Sequence, residues 1–159
     1  MSVRALKLRE KDNARLATVA MQKLQSMEQD DHFVTDEFGN HFAGRHLIID
    51  LHDVSGPLLA DLPLIKRTLT EAARIAGATL LNIDLHRFEP NGGISGVAVL
   101  AESHISIHTW PERGYAAIDA FMCGNARPER AIKVLQDAFG PGHIQINELK
   151  RGMVADAGA

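Results

Sequence analysis

Residues 101–124 read AESHISIHTWPERGYAAIDAFMCG. Two short runs, HISIHT and YAAIDAFM, flank the turn-forming stretch WPERG. β-rich runs on either side of a tight turn are the signature of a β-hairpin. Pairing the two strands folds residue 103 back toward residues 121–123, so Ser103 and Cys123 become neighbours. His108 lies five residues beyond Ser103. On a straight strand that is about 16 Å away and, by parity, on the opposite face.

The flanking sequence supplies the rest of a sheet. Before the hairpin, SGVAVL reads as a strand, preceded by the turn residues Pro90, Asn91, Gly92 and Gly93. Residues 79–88 read as another strand, and residues 57–76 carry helical periodicity that stops at Gly77. RHLIIDLHD, from residue 45, is a further strand. After the hairpin, residues 127–139 are helical and HIQINEL closes the series as a strand. The order β-α-β-β-β-β-α-β predicts an α+β fold: a two-layer sandwich of an antiparallel-rich sheet with both helices on one face. ISIHT and AAIDAFM are read as apolar on both alternating sets, which predicts burial of both sheet faces. One layer of helices covers one face, so the open face is expected to join a second copy in a homodimer.

Residues 44–152 thus form the expected domain. Residues 1–43 are expected to be an N-terminal extension, a helix or mobile tail ending in the polar loop SMEQDDHFVTDEFGNHF, and residues 153–159 a polar tail. The 159 residues, 45% of them hydrophobic, suit one domain with a core. A formal net charge of -3 offers no basic field for nucleic acid. No run of about 18 apolar residues suggests a membrane span. The charged N-terminus lacks the apolar centre of a signal peptide. Cys123 is the single cysteine, which rules out an intrachain disulfide and points to a reducing, cytoplasmic location.

The motif ESHISIHTWPE, together with HRFEP, GGISG and FMCG, resembles the bacterial and archaeal S-adenosylmethionine decarboxylases over residues 44–152. The resemblance implies a proenzyme that cleaves itself between Glu102 and Ser103. The serine hydroxyl attacks the preceding carbonyl, the amide becomes an ester, and elimination then leaves a pyruvoyl group in place of Ser103. That covalent, self-made cofactor forms a Schiff base with the substrate amine and acts as electron sink when carbon dioxide leaves. The resemblance further implies that His108 assists processing as a base, that Ser95 supports it by hydrogen bonding, and that Cys123 returns a proton to the substrate. It assigns Phe88 and Trp110 to the adenine and sulfonium of S-adenosylmethionine, and Glu112 to its ribose hydroxyls. The product would supply aminopropyl groups for spermidine synthesis.

Other readings stand beside these. A pyruvoyl arginine or ornithine decarboxylase would use the same processing motif, and an unprocessed dimeric binding module would use none of it. His104 and His108 have the HxxxH spacing of a zinc pair, but on a strand they stand about 13 Å apart, too far to share one ion. No metal is expected. Distance and parity separate Ser103 from His108 within one straight strand. Two shared sites are therefore expected in the dimer: Ser103 and Cys123 from one subunit, with Ser95, His108, Phe88, Trp110 and Glu112 from the other.

Overall fold

The β-rich runs become the strands of one sheet in a computed structural model, which describes residues 33–154. Strands β2 (His41–His52), β3 (Leu80–Arg87), β4 (Ile94–Leu100), β5 (Ser103–Trp110), β6 (Tyr115–Met122) and β7 (His143–Val154) lie in the order β7-β2-β6-β5-β4-β3. The short β1 (Val34–Thr35) pairs with the start of β2. Every pairing is antiparallel. The helices are α1 (Gly56–Leu59), α2 (Leu62–Ile75) and α3 (Ala131–Phe139). The expected α+β sandwich is the fold found.

Alternation explains which face the helices cover. Leu47, Ile49 and Leu51 on β2, Ile105 and Ile107 on β5, and Ala116, Ile118 and Ala120 on β6 are all buried. They form one core with Ile65, Leu69, Ala72 and Ala73 of α2 and Leu135 and Phe139 of α3. Burying side chains of this size contributes about 1.5–3 kcal/mol each for the larger ones. The opposite face of β5 carries His104, Ser106, His108 and Trp110, so the expected two-sided apolar pattern fails on this strand. On β5 the open face is a row of polar and aromatic side chains, to which β4 adds Val97 and Val99 beside Ser106 and His104.

Four local expectations are corrected. Residues 57–76 form two helices, because Asp61 caps α2 by accepting the Leu64 amide at 2.9 Å, and Pro63 in the first turn cannot continue a helix from α1. The expected helix from residue 127 opens with a 3-10 turn, Pro128–Arg130, before α3 starts at Ala131. Residues 34–42 are a small hairpin and not a loop: the Asp36 carboxylate accepts the amides of Phe38 and Asn40, both at 3.0 Å, which closes the turn. β2 accordingly begins at His41, ahead of the expected boundary at 44, and β7 runs through Met153, where a tail was expected. The helix expected near the N-terminus falls on residues outside those described.

Two glycines set spacings near the site. A Cβ on Gly96 would strike the Asp84 carbonyl oxygen and lie 2.8 Å from the Leu85 Cα, so only glycine lets β3 approach β4 here. Gly114, at φ 60°, closes the turn between β5 and β6.

Candidate active site

β4 and β5 are joined by Ala101 and Glu102, a turn tied down on three sides. The Ala101 amide donates to the Thr79 carbonyl at 2.9 Å. The Glu102 carboxylate is buried and accepts from the Thr79 amide at 2.7 Å and the Thr79 hydroxyl at 3.2 Å. The Glu102 carbonyl oxygen accepts two hydrogen bonds from one residue: the Cys123 amide at 3.0 Å and the Cys123 thiol at 3.0 Å. Two donors on one carbonyl oxygen polarise it toward attack and match the charge it gains in a tetrahedral intermediate. Burial, and secondarily the Glu102 charge, raise the thiol above its ordinary value of 9.0, so Cys123 holds its proton at neutral pH.

Ser103 follows this carbonyl with φ 139°, a backbone conformation that L residues other than glycine rarely adopt. Such a conformation costs about 1–3 kcal/mol and persists because the surrounding bonds over-determine it. The strain sits on the N–Cα bond next to the peptide linkage between Glu102 and Ser103. Ser103 Oγ lies 3.1 Å from His104 Nδ1.

β5 keeps an unbroken register with both neighbours, so Ser103 pairs with Met122 while His108 pairs with Ser95 and Ala117. Ser103 and Cys123 therefore meet within the chain, as the hairpin predicts. His108 does not join them. Its Nδ1 lies 2.7 Å from Ser95 Oγ, and its ring stands 6.2 Å from that of Trp110 on the open face. Trp110 is 5.2 Å from the Tyr115 ring, whose hydroxyl donates to Asp50 at 2.6 Å. That hydrogen bond holds the phenol pKa up, at about 12. Phe88 is half exposed and meets His86 edge-on at 4.6 Å. Glu112 is exposed on the 3-10 turn Pro111–Arg113.

The structure thus gathers the predicted residues into two groups at opposite ends of β5. Ser103, Glu102 and Cys123 form one; Ser95, His108 and Trp110 form the other, with Phe88 and Glu112 nearby in sequence terms on the adjoining β3 and β5 ends. Residue spacing carries no sign of the contact of Ser103 with His104 or of the Thr79 anchor of Glu102. An acidic residue immediately before the serine was the available signal for the second. No group of three or more His, Cys, Asp or Glu side chains among the described residues is arranged to hold a metal ion. No helix among them is long and apolar enough to cross a membrane.

A family model described as S-adenosylmethionine decarboxylase matches residues 45–152. The chain belongs to the S-adenosylmethionine decarboxylase family. It is 48% identical over 109 residues to the S-adenosylmethionine decarboxylase proenzyme of Prochlorococcus marinus (strain MIT 9313), covering 68% of this chain and 86% of the relative. The proenzyme of Parasynechococcus marenigrum (strain WH8102) is 55% identical over 109 residues, covering 68% and 84%. The archaeal proenzyme of Methanococcus maripaludis is 44% identical over 114 residues, covering 71% and 93%. The crystal structure of the adenosylmethionine decarboxylase from Aquifex aeolicus superimposes with a TM-score of 0.67 at 33% identity, covering 73% of this chain and 96% of that one. These family relatives favour the S-adenosylmethionine reading over the arginine and ornithine alternatives.

Proposed function

We propose that the chain is a proenzyme that cleaves itself between Glu102 and Ser103 and then decarboxylates S-adenosylmethionine. The observation that carries the cleavage is the Glu102 carbonyl, held by both donors of Cys123 and followed by a serine at φ 139°. A self-made pyruvoyl group requires a serine whose preceding carbonyl is polarised, and Ser103 meets that requirement. Attack of Ser103 Oγ on the carbonyl carbon converts amide to ester, with the developing oxyanion facing the Cys123 amide and thiol. The strained φ favours a reaction that frees the nitrogen of residue 103 from its fixed peptide plane. A pyruvoyl group at position 103 supplies an electron sink for the pair left behind by carbon dioxide.

Cys123 holds a proton beside that position and can deliver it to the substrate α-carbon, because burial keeps the thiol protonated. Trp110 and Phe88 are partly exposed aromatic rings suited to a sulfonium and an adenine, and Glu112 offers a carboxylate to ribose hydroxyls. His108, positioned by Ser95, serves as the base of the elimination step. Since these residues lie at the far end of β5, we assign them to the site of a second protomer docked on the open sheet face. We place the decarboxylase domain around the family match at residues 45–152, with β1, the start of β2 and the end of β7 extending its sheet beyond it, and the lone cysteine supports a cytoplasmic setting.

Intact mass tests the cleavage: two chains whose masses fit a cut between Glu102 and Ser103, with Ser103→Ala remaining one chain. Carbon dioxide release is then compared for S-adenosylmethionine, arginine and ornithine. Release from arginine or ornithine alone would overturn the substrate assignment, and an active uncleaved wild-type protein would overturn the processing.

A further inference from the structure

His104 follows the strained serine directly, and its Nδ1 lies 3.1 Å from Ser103 Oγ. We infer that His104 is the general base of the first processing step, taking the proton of Ser103 Oγ as that oxygen attacks the Glu102 carbonyl. The inference rests on the self-cleavage proposed above and assigns the two histidines of HISIH to successive steps. His104 acts in the amide-to-ester shift and His108 in the elimination that follows. The geometry separates them: His104 touches the serine, while His108 is held by Ser95 at the other end of the strand.

The proton inventory closes on one side chain. As the Oγ–C bond forms, the hydroxyl proton passes to Nδ1 of neutral His104. As the C–N bond breaks, the same proton is returned to the nitrogen of residue 103. Amide and hydroxyl become ester and amine, and His104 ends as it began. The surroundings keep the ring neutral and ready to accept. Its half-burial against Phe121, whose ring is 6.0 Å away, disfavours the charged form, and the neighbouring His46 on β2 and the Arg151 guanidinium on β7 act in the same direction. Asp119 on β6 opposes the effect, but its carboxylate accepts from or pairs with His46 at 3.0 Å and receives the Ser106 hydroxyl at 3.3 Å. The net result places the ring below the ordinary histidine value of 6.5. Glu102 and Cys123, the remaining titratable neighbours, are turned to Thr79 and to the scissile carbonyl.

The test follows ester formation in freshly translated proenzyme, using hydroxylamine, which cuts an ester at residues 102–103 and leaves the amide intact. His104→Asn keeps a polar atom near the Nδ1 position and cannot act as base. Its sum of hydroxylamine-cut and self-processed chains should accumulate about 10²- to 10⁴-fold more slowly than wild type. His108→Ala should instead accumulate the hydroxylamine-labile form. Wild type and His108→Ala should both lose ester-forming rate as pH falls below the ordinary histidine value, because protonated His104 accepts no proton. Wild-type kinetics in His104→Asn, or its arrest as the ester, would overturn the inference. So would a wild-type ester-forming rate that is flat through the acid range, a readout that needs no variant to fold. Wild-type protein that never cuts at this bond, with or without hydroxylamine, would instead overturn the self-cleavage itself.

Discussion

Replacing Ser103 by glycine should stabilise the uncleaved protein relative to replacing it by alanine, reversing the usual order for a strand. Neither substitute carries a hydroxyl, so both chains stay whole, and both lose the contact with His104 equally. Glycine within a strand ordinarily costs about 0.5–1 kcal/mol relative to alanine, through the greater freedom of its unfolded chain. At φ 139° alanine bears a strain of about 1–3 kcal/mol that glycine does not. The difference leaves glycine ahead by about 1 kcal/mol. With a urea dependence of about 2 kcal/mol per molar, the unfolding midpoint of Ser103→Gly should lie roughly 0.5 M above that of Ser103→Ala. The two proteins are to be compared at one concentration, because self-association, where it occurs, makes apparent stability depend on it. A midpoint for Ser103→Gly equal to or below that of Ser103→Ala would refute stored backbone strain at the cleavage site.

Four further outcomes are expected. Cys123→Ala should still process, because its backbone amide continues to bond the Glu102 carbonyl, but at a rate lowered by about 10²-fold, and it should decarboxylate poorly; wild-type rates for both on timed gels and carbon dioxide release would contradict its role. The thiol must be protonated to act, so decarboxylation by the mature enzyme should fall only as pH rises above the ordinary thiol value of 9.0; an alkaline limb well below it would point to another donor. Glu102→Gln, measured by urea unfolding in the Ser103→Ala background, should cost about 1.5–3 kcal/mol through its bonds to Thr79, and an unchanged midpoint would show that the anchor does not hold the turn. Co-expressed Ser103→Ala and His108→Ala chains should recover cleavage at roughly a quarter of all sites, confined to the chain carrying His108→Ala; none in dimers shown by mass to be mixed would place His108 with its own serine.

The hairpin of residues 103–122 was readable because its period of two and its turn residues agree, and its register alone brings Ser103 to Met122. The break at Asp61 was hidden by helical spacing that runs through both α1 and α2, although an aspartate two residues before Pro63 is ordinary capping chemistry. The hairpin at residues 34–42 escaped because its first strand has two residues and its turn is polar apart from the exposed Phe38. The reach of Ser103 to His104 was invisible for a different reason. It depends on a backbone angle forced by bonds to Thr79 and Cys123, residues distant in sequence, and no local pattern encodes it. Judged by spacing, His104 could be weighed only as half of a metal pair.

The turn at Ala101 and Glu102 lies between two central strands, so a cut after Glu102 divides the molecule through its middle. One piece keeps β1 to β4 with α1 and α2; the other keeps β5, β6, β7 and α3. The pieces remain interleaved, since β2 sits between β6 and β7 of the second piece, and β4 and β5 share six residue pairs. Folding therefore belongs to the precursor alone, in which every one of these contacts closes a loop within one chain. Once cut, an unfolded molecule must find its other half by diffusion, and reassembly becomes dependent on concentration. The mature protein then persists through the slowness of its unfolding, with a lifetime set by a barrier and not by a reversible balance.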